Sequence, residues 1–222
     1  MTVPTIHQPA AQLLALLQAR PTRRTIVGIV GLPGSGKSTI ASQLAAEVNA
    51  QTGPDTVQAL GMDGFHLSRA ALAQMPDPVA ALTRRGSPWT FDPAGLAQRI
   101  TALRNAPLEP GAAPVLWPAF DHGVGDPQED AVSIGPATRL VLVEGLYLLH
   151  QDHGWNLDGL LDACWYLDVP MDVAMQRLVA RHQAAWGFTV AQAEARLALN
   201  DRLNADTVAS TRGRADGLLP NV

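Results

Sequence analysis

The chain has 222 residues, a formal net charge of −4, and 47% hydrophobic against 16% charged residues. That size and balance suit one globular α/β domain with a sizeable core and exclude a disordered segment. The acidic charge, with no basic block, excludes the clustered cations of a nucleic-acid surface, and no run approaches the roughly 20 apolar residues of a membrane helix. A single cysteine, Cys164, excludes an intrachain disulfide and fits a reducing compartment. With no secretory leader apparent, the expectation is a soluble, cytoplasmic protein without a membrane or nucleic-acid partner.

In chain order, 10–19 reads as an amphipathic leading helix ended by Arg20-Pro21, within a leader and linker spanning 1–24. Residues 25–31 form a β-branched run ending in glycine, the pattern of a buried strand. The stretch 38–49 reads as a helix with Ile40, Leu44, Ala45 and Val48 on one face. A second strand is expected over 57–62, then a short helix over 67–75 closed by Pro76 and Pro78. Residues 83–93 read as loop, and 94–104 as a helix aligning Leu96, Ile100 and Leu103.

The Pro/Gly-rich stretch 106–135 reads as irregular, with one edge strand at 114–117. A segment so long is uncommon in a compact domain unless functional, so it is expected to cover or line a site. Residues 139–145 are the most convincing central strand, and 164–169 another, stopped by Pro170. Helices at 172–185 and 190–209 and a short strand at 217–219 complete the chain. Strands alternating with helices predict a parallel sheet covered on both faces, with ligands at the strands' carboxyl ends. The whole chain, 1–222, reads as a single domain.

Gly31-Leu32-Pro33-Gly34-Ser35-Gly36-Lys37-Ser38 satisfies the phosphate-loop pattern G-x-x-x-x-G-K-[ST] at every specified position, between a strand and a helix. Of sixteen Lys and Arg residues, Lys37 is the only lysine. A compact ammonium on a flexible stem can follow a moving phosphoryl group, whereas a planar guanidinium would crowd a loop of backbone amides. Gly31, Pro33, Gly34, Ser35, Gly36, Lys37, Ser38 and Thr39 are therefore the candidate nucleotide cradle, with Ser38 a candidate ligand of Mg²⁺. Glu144 ends the most apolar strand, where a carboxylate can hold Mg²⁺ directly or through water. Asp63 ends the second strand, where a carboxylate can take the proton of an incoming hydroxyl.

The phosphate loop, Asp63-Gly64-Phe65-His66, Glu144-Gly145-Leu146-Tyr147 and the Arg-rich C-terminal helix together resemble the uridine kinase, phosphoribulokinase and pantothenate kinase superfamily. The nearest resemblance is to bacterial kinases often labelled fructose transport system kinases. It covers nearly the whole chain from Thr25 onward. It implies a P-loop three-layer sandwich with a five-stranded parallel sheet, a helical lid over about 172–209, and ATP-dependent phosphorylation of a small hydroxyl compound. It also implies Asp63 as base and Glu144 as the acid associated with Mg²⁺.

Two further segments fit an acceptor site. The stretch from Arg84 through Arg85, Trp89 and Asp92 is similar to one in pantothenate kinases, and the stretch from Phe120 to Asp126 to the superfamily's aromatic-plus-His substrate segment. Asp92, Asp121, His122 and Asp126 would accept from substrate hydroxyls, while Phe65, Trp89 and Phe120 would supply apolar walls, with Arg85 and His66 beside them. The histidines could equally be tied to loop backbone, and Arg84 and Arg85 mark either an anionic acceptor or lid or surface charges. Arg177 and Arg181 lie four apart on one helical face, where lid arginines would reach the triphosphate. Arg212 is the candidate neighbour of adenine. A GTPase is disfavoured because its guanine-reading motif needs a second lysine. A non-catalytic ATP sensor or adaptor stays open, as does a homodimer.

Overall fold

The protein is described from a computed structural model covering residues 6–121 and 123–221. A five-stranded, all-parallel sheet carries helices on both faces, its strands lying side by side in the order 57–61, 140–145, 25–31, 163–168 and 217–220. Helix α1 (His7–Gln18) lays Ala10, Leu13 and Leu17 against the core. Strand β1 (Thr25–Gly31) is buried throughout and leads into α2 (Lys37–Thr52), then β2 (Val57–Gly61). Helices α3 (Arg69–Leu72), α4 (Pro78–Thr83) and α5 (Pro93–Asn105) follow.

An antiparallel hairpin, β3 (Val115–Phe120) with β4 (Pro127–Ile134), stands apart from the main sheet. The chain returns through β5 (Leu140–Gly145) and β6 (Ala163–Asp168). It ends in α6 (Met171–Trp186), α7 (Val190–Arg196), a π turn over Leu197–Asp201, α8 (Arg202–Ser210) and β7 (Gly217–Pro220). The central strands β1 and β5 are apolar on both faces, as helices above and below require. Each fully buried Val, Leu or Ile contributes about 1.5–3 kcal/mol relative to exposure, so these strands anchor the sheet. Among the described residues no helix is long and apolar enough to cross a membrane.

At the amino ends of the strands, arginines bind the layers together. Buried Arg24 donates to the carbonyls of Thr138, Leu103 and Gly135 at 2.8, 2.6 and 3.1 Å. Asp162 accepts from Arg23 and Arg104 and from the Ile26 amide.

Three expectations are corrected. Pro78, read as closing a helix, opens α4 at its first turn, where its missing N–H costs nothing, and Asp77 caps it by accepting from the Ala80 amide at 2.9 Å. The irregular stretch with one edge strand is a hairpin. Most of its β4 is exposed, with only Ile134 buried, so no apolar alternation marks it. The register of β3 also shifts between Trp117 and Ala119, around Pro118, whose missing N–H suits a bulge. Finally, the long last helix is broken by the π turn.

Candidate active site

All five strands of the sheet end at one edge, and the candidate residues gather there. Gly34 and Gly36 take positive φ values of 77° and 92°, and a Cβ on Gly34 would strike the Ala174 carbonyl and Leu178 of α6. Helix α2 then starts at Lys37 with no side-chain cap, so the free amides of its first turn face the hollow of the loop. Arg177 of α6 donates to the Ser35 carbonyl at 3.1 Å, holding the loop from behind. Gly31, Pro33 and Ser35 are buried, whereas Gly36, Ser38 and Thr39 are exposed toward the ligand side.

Lys37 Nζ donates to the Leu32 carbonyl at 3.1 Å. Burial lowers its pKa, Glu144 and Asp63 raise it, and Arg181 lowers it, so these three side chains lie within electrostatic reach of Lys37. In the sheet Glu144 pairs with Ile29 on one side and Gly61 on the other, between the phosphate loop and Asp63. Burial raises the Glu144 carboxyl above its ordinary value, with Asp63 adding to the rise and Lys37 and Ser38 opposing it. Ser38 Oγ donates to Glu144 Oε1 at 2.8 Å. Two hard oxygen donors side by side fit Mg²⁺, which takes one or two protein oxygens together with phosphate oxygens and water. Among the described residues no group of three or more His, Cys, Asp or Glu could hold a metal without such help.

Asp63 sits in a 3-10 turn over Met62–Phe65, directly after β2. The hairpin presses on this turn. A Cβ on Gly64 would overlap the Pro118 carbonyl, Trp117 Nε1 donates to the Gly61 carbonyl at 2.9 Å, and Phe65 meets Trp117 edge-on at 5.0 Å. His66 Nδ1 lies 2.7 Å from the Asp63 carbonyl, and its ring stands 4.0 Å from Phe91 and 4.5 Å from Phe120.

The other acceptor candidates divide. Arg85 donates to the Gly125 carbonyl, to the Leu67 carbonyl at 2.8 Å and to Asp126 at 2.8 Å, with its guanidinium over Phe120 at 5.4 Å. The amide of Arg69 and the Arg85 side chain hold the Asp126 carboxyl below the usual carboxylate range. Asp121 accepts from the Gly123 amide at 2.7 Å, and Asp92 caps α5 by accepting from the Gly95 amide at 2.9 Å. Phe65 is buried in packing, and Trp89 faces a different cavity, beside His150 and His153. His122 lies outside the described residues.

Arg181 is exposed and joins the Lys37 cluster through charge, while Arg177 also reaches Asn221 at 3.3 Å. Arg212 makes a two-pronged ion pair with Asp168 at the end of β6, at 2.9 and 2.8 Å. Those hydrogen bonds lower the Asp168 pKa.

Asn200, Asp201 and Asn204 share a helical face in the sequence, the pattern of a polar site edge or a cap on lid motion, and the structure shows what Asn200 and Asn204 meet. Arg84 donates to Asn200 and Ser87, Ser87 to Asn204, Asn200 to the Arg85 carbonyl, and Tyr147 to the Gly86 carbonyl. They join the C-terminal helices and the turn over residues 84–90.

Comparison with known proteins agrees with this fold. The chain is 40% identical over 162 residues to an ATP-dependent kinase-like protein, notR', of Aspergillus versicolor, covering 72% of this chain and 93% of that one. It is 36% identical over 185 residues to a protein named as a putative uridine kinase of Schizosaccharomyces pombe, covering 82% and 77%. The crystal structure of a putative fructose transport system kinase from Silicibacter sp. TM1040 superposes with a TM-score of 0.86 at 34% identity, over 97% of this chain and 99% of that one. The chain belongs to the P-loop kinase superfamily. A family model for the methylmalonyl-CoA mutase-associated GTPase MeaB matches residues 2–63. That match stops at Asp63, having spanned the phosphate loop and β2, and reaches neither Glu144 nor the C-terminal helices.

Proposed function

We propose that this P-loop kinase transfers the γ-phosphate of Mg·ATP to a hydroxyl of a small metabolite, of the sugar, nucleoside or pantothenate-like kind. The convergence of Lys37, Asp63, Glu144 and Arg181 carries the reading. A module that only binds nucleotide needs the phosphate loop, but has no use for a carboxylate across from it on the acceptor side.

The α2 amides and Lys37 would hold the β- and γ-phosphates, with Arg177 stiffening the loop. Ser38 and Glu144 would hold Mg²⁺, which when bound neutralises phosphate charge. The acceptor would lie between the Asp63 turn and the hairpin, against His66 and Phe120. Its hydroxyl oxygen attacks the γ-phosphorus while the bond to the β–γ bridging oxygen breaks, and Asp63 receives the proton. Lys37 and Arg181 offset the charge that builds on the transferring group. Helices α6 to α8 would act as a lid that excludes water, a role supported by their hold on residues 84–87. The whole chain would work as one domain.

A coupled ADP-release screen with Mg·ATP against nucleosides, sugars, sugar phosphates and pantothenate-like compounds tests the proposal. One acceptor class should raise ADP release well above background. Tight ATP binding with no response to any class would favour the sensor. The MeaB match gives a GTP-dependent reading one supporting observation, and a preference for GTP over ATP in the same screen would establish it.

A further inference from the structure

Beyond the transfer site, a cavity of about 410 Å³ opens between the turn over residues 84–90, the turn over 150–153 and α8. Its volume falls in the range that takes a small metabolite. A row of rings lies between it and the acceptor side. His66 contacts Phe91 at 4.0 Å, Phe91 contacts Tyr147 at 5.6 Å, and Tyr147 contacts His150, on the cavity wall, at 5.8 Å. Tyr147 is fully buried, and its hydroxyl is bonded to the Gly86 carbonyl, so the partition is closed at that point.

Two groups on the wall are incompletely matched. Arg84 is partly buried, yet among the described residues it has no carboxylate partner. Its Nε and Nη2 donate to neutral Asn200 and Ser87. A cation removed from water without a counter-ion is costly, and an anion would relieve that cost. His150 Nε2 is buried and has no hydrogen-bond partner among the described residues. Trp89, His153, Thr207 and Ser210 add an indole face, an imidazole and two hydroxyls around them. The one carboxylate of the lining, Asp152, is exposed, where water and salt screen it.

We propose that this cavity binds a small hydroxylated anion, a phosphate ester or a carboxylate, at a site separate from phosphoryl transfer, with Arg84 as its charge partner. Because the walls belong to the 84–90 turn and to α8, an occupant bridges the contacts Arg84–Asn200 and Ser87–Asn204 and holds these elements together.

The test uses the full chain saturated with Mg²⁺ and a non-hydrolysable ATP analogue, so that the phosphate loop is filled. Side-chain ¹⁵N signals of the histidines are followed while glycerol 3-phosphate, and separately tartrate, is added. Saturable shifts at His150 and His153 are expected with at least one of them, and which one responds tells phosphate from carboxylate. Arg84→Gln should weaken that binding about tenfold or more, the loss of a charge-assisted contact. Thr207→Tyr fills the cavity from α8 and should abolish the shifts with nucleotide affinity unchanged. The proposal is overturned if neither compound moves these signals, or if the shifts survive Thr207→Tyr. With ATP in place of the analogue, phosphorylation of either compound, lost in Thr207→Tyr, would also overturn it by making the cavity the acceptor site. A failure of the kinase reading shows instead as missing ADP release and leaves the titration intact.

Discussion

At the phosphate end of the cleft, the candidate groups hang directly on the ends of β1, β2 and β5, and backbone amides do much of the holding. At the acceptor end they sit on turns and a hairpin whose outer strand is mostly exposed. Side chains there are largely occupied with one another: Arg85 with Gly125, Leu67 and Asp126, Asp121 with Gly123, Asp92 with its helix. A rigid sheet edge suits a constant ligand such as a triphosphate. The hairpin is pressed onto the Asp63 turn by Trp117 and Gly64, not built into the sheet.

Three experiments probe this division. Lys37→Ala should lower turnover by about two to three decades or more, the scale for loss of a group that meets developing charge. Its melting temperature should hardly move, and wild-type turnover from this variant would break the phosphate-end account. Glu144→Gln should remove most of the dependence of nucleotide affinity on Mg²⁺. The pH profile of kcat/KM should show the same pair. Burial raises Glu144 above its ordinary 4.5 and lowers Lys37 below its ordinary 10.5. The charged pair is therefore lost at higher pH on the acid side and at lower pH on the alkaline side than for exposed groups. Glu144→Gln should move the acid limb to lower pH, and an unchanged limb would assign it elsewhere. Arg85→Ala, at the acceptor end, should lower stability by about 1–3 kcal/mol, the cost of orphaning its acceptors. It should also raise the acceptor KM while leaving nucleotide affinity alone, and a loss of nucleotide binding would erase the distinction between the ends.

The phosphate end was legible because its signals are local. A β-branched run, a glycine loop and an amphipathic helix stand in unbroken order from Thr25, and Glu144 closes an almost wholly apolar strand. The acceptor end was not, because its order is set by distant contacts. The edge strand expected at 114–117 is the first half of β3, but nothing in the sequence carries it past Pro118, and β4 lacks alternation because Gln128 to Ala131 in its middle are all exposed. Pro78 was misread because the same ring that ends a helix also suits its first turn, and only Asp77 before it decides between them. Arg85 was visible as a charge, but its three acceptors lie on segments up to forty-one residues away. Tyr147 stood in a recognised motif, yet its bond to Gly86 depends on how the 84–90 turn folds back over β5.

The central claim is that Asp63 acts on the acceptor and not on the nucleotide. Asp63→Asn, which keeps size and removes charge, tests it most directly when ATP affinity and acceptor-dependent ADP release are measured on one preparation. The account requires nearly unchanged affinity with turnover lower by about two to four decades. Undiminished turnover, or turnover that falls only in step with ATP affinity, would contradict it.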